Sequence, residues 1–330
     1  MCKEQHGNEG VILIALLWIL TALAIISLSF SRETFVELAS ARNARDLSDS
    51  YFIARAGITD AAYQLVKKRF QTTVKQLQLD DTPDPIDLGK VSGAFGDGEY
   101  AVDIQDESGK ISLNYVTEEH LRRLLEVLEI PKPDSDIIAD SILDWRDVDS
   151  LHRINGAEDE YYQTMNPPYK AKNGRFETVE ELLLVRGVTS DYFYGHSEKT
   201  EDGSTVFRYG LSRCLTAYGI SNRININFAP LPVLLSVPGM TPEAAKTIFE
   251  RRQSNPFTSM AEVNKDLPGN LGATTIPFLS TDQTYTYTLT ASGHRMGSKV
   301  QRLLRAIIAL DPQEALRFRI IYWNENVPNL

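Results

Sequence analysis

Residues 11–30 read VILIALLWILTALAIISLSF, twenty consecutive positions without a charge. A helix rises about 1.5 Å per residue, so this run just crosses the roughly 30 Å hydrocarbon core of a bilayer. Lipid offers no hydrogen-bond partners to the backbone, which makes a helix obligatory there. A ten-residue polar leader, MCKEQHGNEG, precedes the run and ends in Gly10. A cleaved secretory signal is the rival reading, but it wants a basic n-region, a shorter apolar stretch and a small-x-small cleavage site. The leader sets Lys3 against Glu4 and Glu9, and the residues after Phe30, SRETFVELASARNARDL, carry no clear site of that kind. Lys3 on one side faces Arg32, Arg42 and Arg45 on the other, so the positive-inside rule leaves orientation open.

Outward from the apolar run the chain reads as a soluble head. Helical composition continues through Phe70 without a proline, rich in Ala, Leu, Arg and Glu. Phe35, Leu38, Leu47, Phe52, Ile53, Ala56 and Leu65 offer it an apolar stripe. One helix of about sixty residues from Val11 suits a spine emerging from a membrane, with Gly57 costing it about 1 kcal/mol. TPDPIDLG (82–89) is a loop by its prolines and aspartates. GEYAVDIQDESGKISLN (98–114) alternates as a strand, Tyr100, Val102 and Ile104 to one side, with a turn at Glu107–Lys110. A helix is predicted over Thr117–Leu128, capped by Thr117 and ended by Pro131 and Pro133, and another starts over Asp136–Asp144. Further strand candidates lie in 200–213, in 284–310 and at ALRFRIIYW (315–323). Strands at both ends of a mostly helical middle, about 115 to 270, predict a helical domain inserted into an α+β domain.

Of 330 residues, about 300 remain for the head, enough for one large domain or two moderate ones. The net charge of −10 disfavours nucleic acid as a partner and is compatible with divalent cations. Two cysteines, Cys2 and Cys214, exclude a disulfide scaffold and a thiolate zinc cluster, and the five histidines show no ligand spacing.

Six carboxylates fall within seventeen residues: Asp144, Asp147, Asp149, Glu158, Asp159 and Glu160. Folded together they need a counter-charge, which Ca²⁺ supplies through six to eight oxygens. Asp147 and Asp149, two apart, resemble the opening of a calcium loop, and Gly156 would turn Glu158 back to the site. The spacing is not that of an EF-hand, and a solvated acidic loop stays open as a reading. A catalytic carboxylate pair needs a partner group and a pocket, and no Ser/His or Cys/His pattern accompanies it.

A second motif is doubled. ETVEELLLVRGVTSDYF (177–193) and LPVLLSVPGMTPEAAKTIFERR (231–252) both read apolar helix, Gly, apolar residue, Thr, helix, turning at Gly187 and Gly239. Such helix-hairpin-helix units bind DNA when a second glycine lets backbone amides meet a phosphate. Here Thr189 and Thr241 stand there as caps, with Asp191 and Glu243 nearby, which favours packing. A membrane-tethered DNA-uptake protein is the alternative function. The asparagines of ININFAP (224–230) satisfy local backbone. Tyr161, Tyr162 and Tyr169 pack over the acidic loop, or else line a partner surface.

Taken together, the leader ending in Gly10, the apolar run, ARAGI (54–58), ILDWRDVDSLHRINGAEDEYY (142–162), PPYKAKNGRFETVEELLLVRGVT (167–189) and ININFAP resemble the type II secretion system protein K family of minor pseudopilins over nearly the whole chain. The resemblance implies a pilin-like α+β fold, a spine helix with an antiparallel sheet, interrupted by a large α-helical insert. It divides the chain into a leader (1–10), a transmembrane helix (11–30), spine and first strands (31–114), insert (115–275) and closing strands (276–330). It implies cleavage after Gly10, methylation of Val11, and a non-enzymatic subunit in the bacterial inner membrane with its head in the periplasm. Minor pseudopilins I and J are the implied partners, at a filament tip where assembly starts, with no nucleic acid. Most pilin-like subunits carry Glu at mature position five; Ala15 stands there, as the resemblance to protein K implies. Ca²⁺ is the implied cofactor, with Asp147, Asp149 and Glu158 as ligands and Asp144 and Asp159 as further ones.

Overall fold

The computed structural model describes residues 9–76, 89–199, 205–267, 271–282 and 285–327. The apolar run and the head share one helix, α1 (Glu9–Gln76), which is 68 residues long. From Ile12 to Phe30 every side chain is exposed, as on a lipid-facing surface. From Ser50 onward one face is buried, carried by Ile53, Ala54, Ile58, Ala61, Ala62 and Leu65 at helical spacing. The loop expected at 82–89 lies, apart from Gly89, outside the described residues.

β1 (Val91–Phe95) and β2 (Gly98–Asp106) follow α1 as a hairpin. The helical unit comes next, with α2 (Glu118–Val127), α3 (Lys132–Arg146), α4 (Leu231–Ser236) and α5 (Pro242–Ser254) among its helices. The chain then returns through β3 (Thr286–Arg295), β4 (Gln301–Leu310) and β5 (Phe318–Asn324). All five strands form one antiparallel sheet in chain order, so β2 pairs with β3 although about 180 residues separate them. In register, Val102 faces Ala291, Ile104 faces Leu289, and Leu289 faces Ala306. The period-two alternation places these residues on the face that α1 covers, where they form one core with Ala54, Ile58, Ala61 and Leu65. Gly57 lies within that contact: a Cβ there would meet Tyr100 at 2.8 Å, so its missing side chain is what lets spine and sheet close.

Three boundaries differ from the sequence-based expectation. α3 starts at Lys132, because Pro133 sits in its first turn, where a missing N–H costs nothing, rather than ending the previous helix. β5 starts at Phe318, after Arg317 takes φ 59° in a turn closed by the Asp311 N–H on the Arg317 carbonyl. The insert is wider than 115–275. Ile111–Ser112 pairs with Leu215–Thr216, and Ile224–Asn225 pairs with Leu279–Ser280, so both flanks belong to the helical unit. A hairpin, Gly195–Lys199 with Thr205–Tyr209, pairs with itself rather than extending the sheet.

The insert has its own core, built on Leu121, Leu124, Ile138, Ile142, Leu182, Val233 and Ile248 among others. One buried ion pair joins it to the sheet. Glu107 Oε1 accepts from Lys110 Nζ at 2.6 Å and from the Thr288 hydroxyl on β3 at 2.6 Å. Burial opposes its charge, but Lys110 and the hydroxyls of Thr216 and Thr288 outweigh that and hold Glu107 below the ordinary carboxylate range.

Both doubled hairpins turn where expected, Gly187 at φ 88° and Gly239 at φ 77°. Thr189 accepts from the Tyr192 N–H and Thr241 from the Ala244 N–H, so both threonines cap the helix that follows. The first hairpin departs in one respect: Val179–Leu184 is a 3₁₀ helix and Ser190–Tyr194 a single short turn of helix. A Cβ at Gly187 would meet Ile137 and Ile138 of α3, and one at Gly239 would meet Thr274 and Thr275. The turns that a DNA phosphate would need to approach are thus packed against this chain's own residues.

Candidate metal centre

The acidic segment begins on α3. Asp140, Asp144 and Asp147 occupy positions i, i+4 and i+7 and share one face at its C-terminal end. Each finds a different partner. Asp140 is buried and accepts from Arg122 Nη2 and from the backbone and side-chain amides of Asn155. Asp144 is fully buried and accepts from the Arg153 backbone N–H and from Arg153 Nη1 at 2.5 Å. Burial still pushes the Asp144 carboxyl up, against the pull of Arg153. The same guanidinium nitrogen donates to Asp147 Oδ2 at 2.8 Å, while Asp147 Oδ1 is buried and has no partner.

The chain then loops out through Asp149, whose Oδ1 accepts the Leu151 N–H, and returns at Gly156. A Cβ at Gly156 would lie 1.8 Å from Asp144 Oδ2, so only glycine lets the returning strand pass this carboxylate. Two residues on, Glu158 stands at the start of a short helix, Asp159–Tyr162. It is 5% exposed, and neither of its carboxylate oxygens has a hydrogen-bond partner. Burial, and then the negative charges of Asp144, Asp147, Asp149 and Asp159, push its carboxyl up to about 7.

Asp147, Asp149 and Glu158 come together: one oxygen from each lies within 4.8 Å of the others. Asp144 and Asp159, also expected as ligands, fall outside this group. Arg153 claims Asp144, and Asp159 Oδ1 accepts the Ala171 N–H at 2.8 Å. The donor set is hard carboxylate oxygen throughout, which suits Ca²⁺ or Mg²⁺ rather than a soft transition metal. An orphaned, buried carboxylate aimed at two others has the chemistry of a cation site, since an unpaired charge there is otherwise costly. Gly10 and Val11, the expected processing residues, lie in the first turns of α1.

Sequence reading missed Arg153. Its position between the acids is visible in sequence, but nothing there says which carboxylates a loop arginine will bridge. The tyrosines pack as local core: Trp145 meets Tyr162 edge-on at 5.2 Å, and Tyr169 stacks on Tyr162 at 5.2 Å. Arg186 lies over the Tyr161 ring at 4.7 Å and donates to the Gly156 carbonyl, bracing the return of the loop.

Two family models, both described as type II secretion system protein K, match residues 103–194 and 224–279. They span the acidic segment, the first hairpin and the second. Over both matched segments the chain is similar to the type II secretion system protein K family. The type II secretion system protein K of Pseudomonas aeruginosa is 25% identical over 285 residues, covering 80% of this chain and 78% of that protein. That of Aeromonas hydrophila is 27% identical over 205 residues, covering 57% of this chain and 61% of its own length. Among solved structures, the GspK-GspI-GspJ complex of enterotoxigenic Escherichia coli contains a chain with the same fold. The TM-score is 0.65 at 16% identity, over 88% of this chain and all of that one. The chain is a minor pseudopilin of type II secretion, and its apolar N-terminal helix is long enough to cross a membrane.

Proposed function

We propose that this minor pseudopilin stands at the tip of the pseudopilus and starts its assembly with minor pseudopilins I and J, supporting export across the outer membrane. The carrying observation is the contrast along α1. Beyond the membrane run, Phe35, Val36, Leu38, Leu47 and Phe52 remain exposed on the helix. Phe35, Leu38 and Phe52 share one side of the helix, and Phe52 opens a groove of about 650 Å³ between α1 and β1 that Ala56, Tyr63, Phe95 and Tyr100 line together with Arg55 and Asp60. Exposed large apolar side chains gathered on one side of a helix beside a groove are the chemistry of an interface. Its chemistry fits the apolar spine helix of another subunit, and the solved complex of the E. coli relative contains GspI and GspJ.

Ala15 supports the tip position. A carboxylate there would be costly in lipid unless it met the N-terminal amine of a neighbouring subunit, and a terminal subunit has no such neighbour above it. The anchor lies in the bacterial inner membrane through Val11–Phe30, with the head in the periplasm. Prepilin peptidase cuts after Gly10, and Val11 is then methylated. The subunit works by assembly and not as an enzyme. Asp147, Asp149 and Glu158 hold Ca²⁺, which supplies the counter-charge that Glu158 lacks.

Co-expression of the three full-length minor pseudopilins, extraction in mild detergent and pull-down through this chain tests the assembly. Recovery of I and J is expected, and a chain that stays alone with both present would sink the reading. N-terminal sequencing of the extracted protein should begin at methylated Val11; mature protein retaining Met1 removes the processing step.

A further inference from the structure

One arginine divides the acids around the candidate metal centre into two classes. Asp144 is saturated: Oδ1 accepts from Arg153 Nη1 at 2.5 Å and Oδ2 from the Arg153 N–H at 3.1 Å. Among the described residues, every hydrogen bond it accepts comes from Arg153. Asp147 is half-used. The same Nη1 takes its Oδ2 at 2.8 Å, and its Oδ1 stays buried without a partner. Glu158 is buried and accepts on neither oxygen. The two acids with open buried oxygens converge with Asp149, and the saturated one does not join them.

Position alone does not set Asp144 apart. It precedes Asp147 by one helical turn on the same face of α3, and the two share a guanidinium nitrogen. Its Oδ2 lies against the backbone at Gly156, two residues before Glu158. The difference is the guanidinium, which is always charged and donates in a rigid planar fork. A buried carboxylate stripped of such a partner is costly and turns to any cation within reach.

We infer that Arg153 is a positioning residue for the ion: its guanidinium holds Asp144 outside the coordination sphere and fixes Asp147 with Oδ1 free, so that the carboxylate ligands are limited to Asp147, Asp149 and Glu158. This role rests on the metal reading above. Arg153 acts through the acids it holds and does not touch the ion. Removing a group that orients metal ligands typically changes metal affinity about 10–100-fold. Without Arg153, Asp144 enters the sphere as a fourth carboxylate and displaces water that the ion otherwise keeps.

Terbium bound to the full-length protein in dodecyl maltoside reads the coordination sphere, because its luminescence decay in H₂O and D₂O counts the waters on the ion. With Arg153 present, Asp144→Asn should leave the water count unchanged and cost less than about threefold in terbium affinity. Arg153→Met should lose at least one bound water to the incoming carboxylate. In that background Asp144→Asn should restore the water and cost about tenfold or more in affinity. A merely structural Arg153 would leave the water count alone and weaken binding alike with Asp or Asn at position 144. Failure of terbium to bind wild type would overturn the metal reading and this one with it. Where terbium binds, a water gained on Asp144→Asn with Arg153 in place shows Asp144 already on the ion and overturns the role of Arg153 alone. That arm needs no change at Arg153 and decides the matter even if Arg153→Met does not fold. An Arg153→Met protein with the wild-type water count, or the same cost of Asp144→Asn in both backgrounds, overturns it as well.

Discussion

The sheet half and the helical insert of this protein both close on apolar cores but differ in the charged groups they bury. In the sheet half, Ala54, Ile58 and Leu65 of α1 pack on Leu289, Ala291 and Leu304, and non-directional apolar burial dominates. In the insert and at its junction with the sheet, buried acids recur: Glu107 on Lys110 at the junction, then Asp140 on Arg122, Asp144 on Arg153, and Glu158 with no hydrogen-bond partner. Buried charges cost stability unless each is met.

Several measurements can break or sharpen that contrast. The largest effect is expected for Lys110→Met, which leaves Glu107 buried and unpaired: a loss of about 3–5 kcal/mol in denaturant unfolding. Next is Leu289→Ala in the sheet core, with a loss of about 3 kcal/mol. If Lys110→Met proves milder than Leu289→Ala, the difference between the halves is one of composition only.

His120 gives a pH test inside the insert. It is buried, its Nε2 lies 3.2 Å from the Ser236 hydroxyl, and the Phe278 ring meets it edge-on. Burial, and then the nearby Arg123 charge, lower its pKa to about 4. As pH falls, the unfolded chain takes up this proton near 6.5 and the folded one resists until about 4, so stability drops across that window. The decline should reach up to about 3 kcal/mol and flatten in His120→Gln, with wild-type and variant melting curves compared at matched pH. Calcium at a hundred times its Kd should raise stability by about 2.7 kcal/mol, reversibly with EDTA, and Asp147→Ala should abolish the response. A melting temperature indifferent to calcium would remove the ion from the account. The smallest effect, about 1 kcal/mol, is expected for Thr241→Ala at the cap of α5.

What could be read from the sequence follows the range of the interactions. The spine, the strand alternation at Tyr100, Val102 and Ile104, and the caps at Thr117, Thr189 and Thr241 are local, set by neighbours a few residues away. They stand in the structure as read. The insert's edges were misplaced because Ile111 and Leu279 owe their place to strands more than fifty residues distant. At the candidate site, the density of acids was legible but their division of labour was not. Asp144 and Asp159 are diverted by Arg153 and by the Ala171 amide, contacts that depend on how the loop comes back past Gly156.

The uninterrupted α1 has a mechanical consequence. From Phe30 to Arg45 the helix is exposed throughout, about 22 Å at the helical rise, before Asp46 accepts from Arg295 and Ser298 of the head. The head is carried on that rod as on a mast, and its compass bearing is locked to the anchor below. Two residues added between Phe30 and Arg45 would lift it by only about 3 Å yet swing it through about 200°, turning its partner-binding side to face away from the fibre.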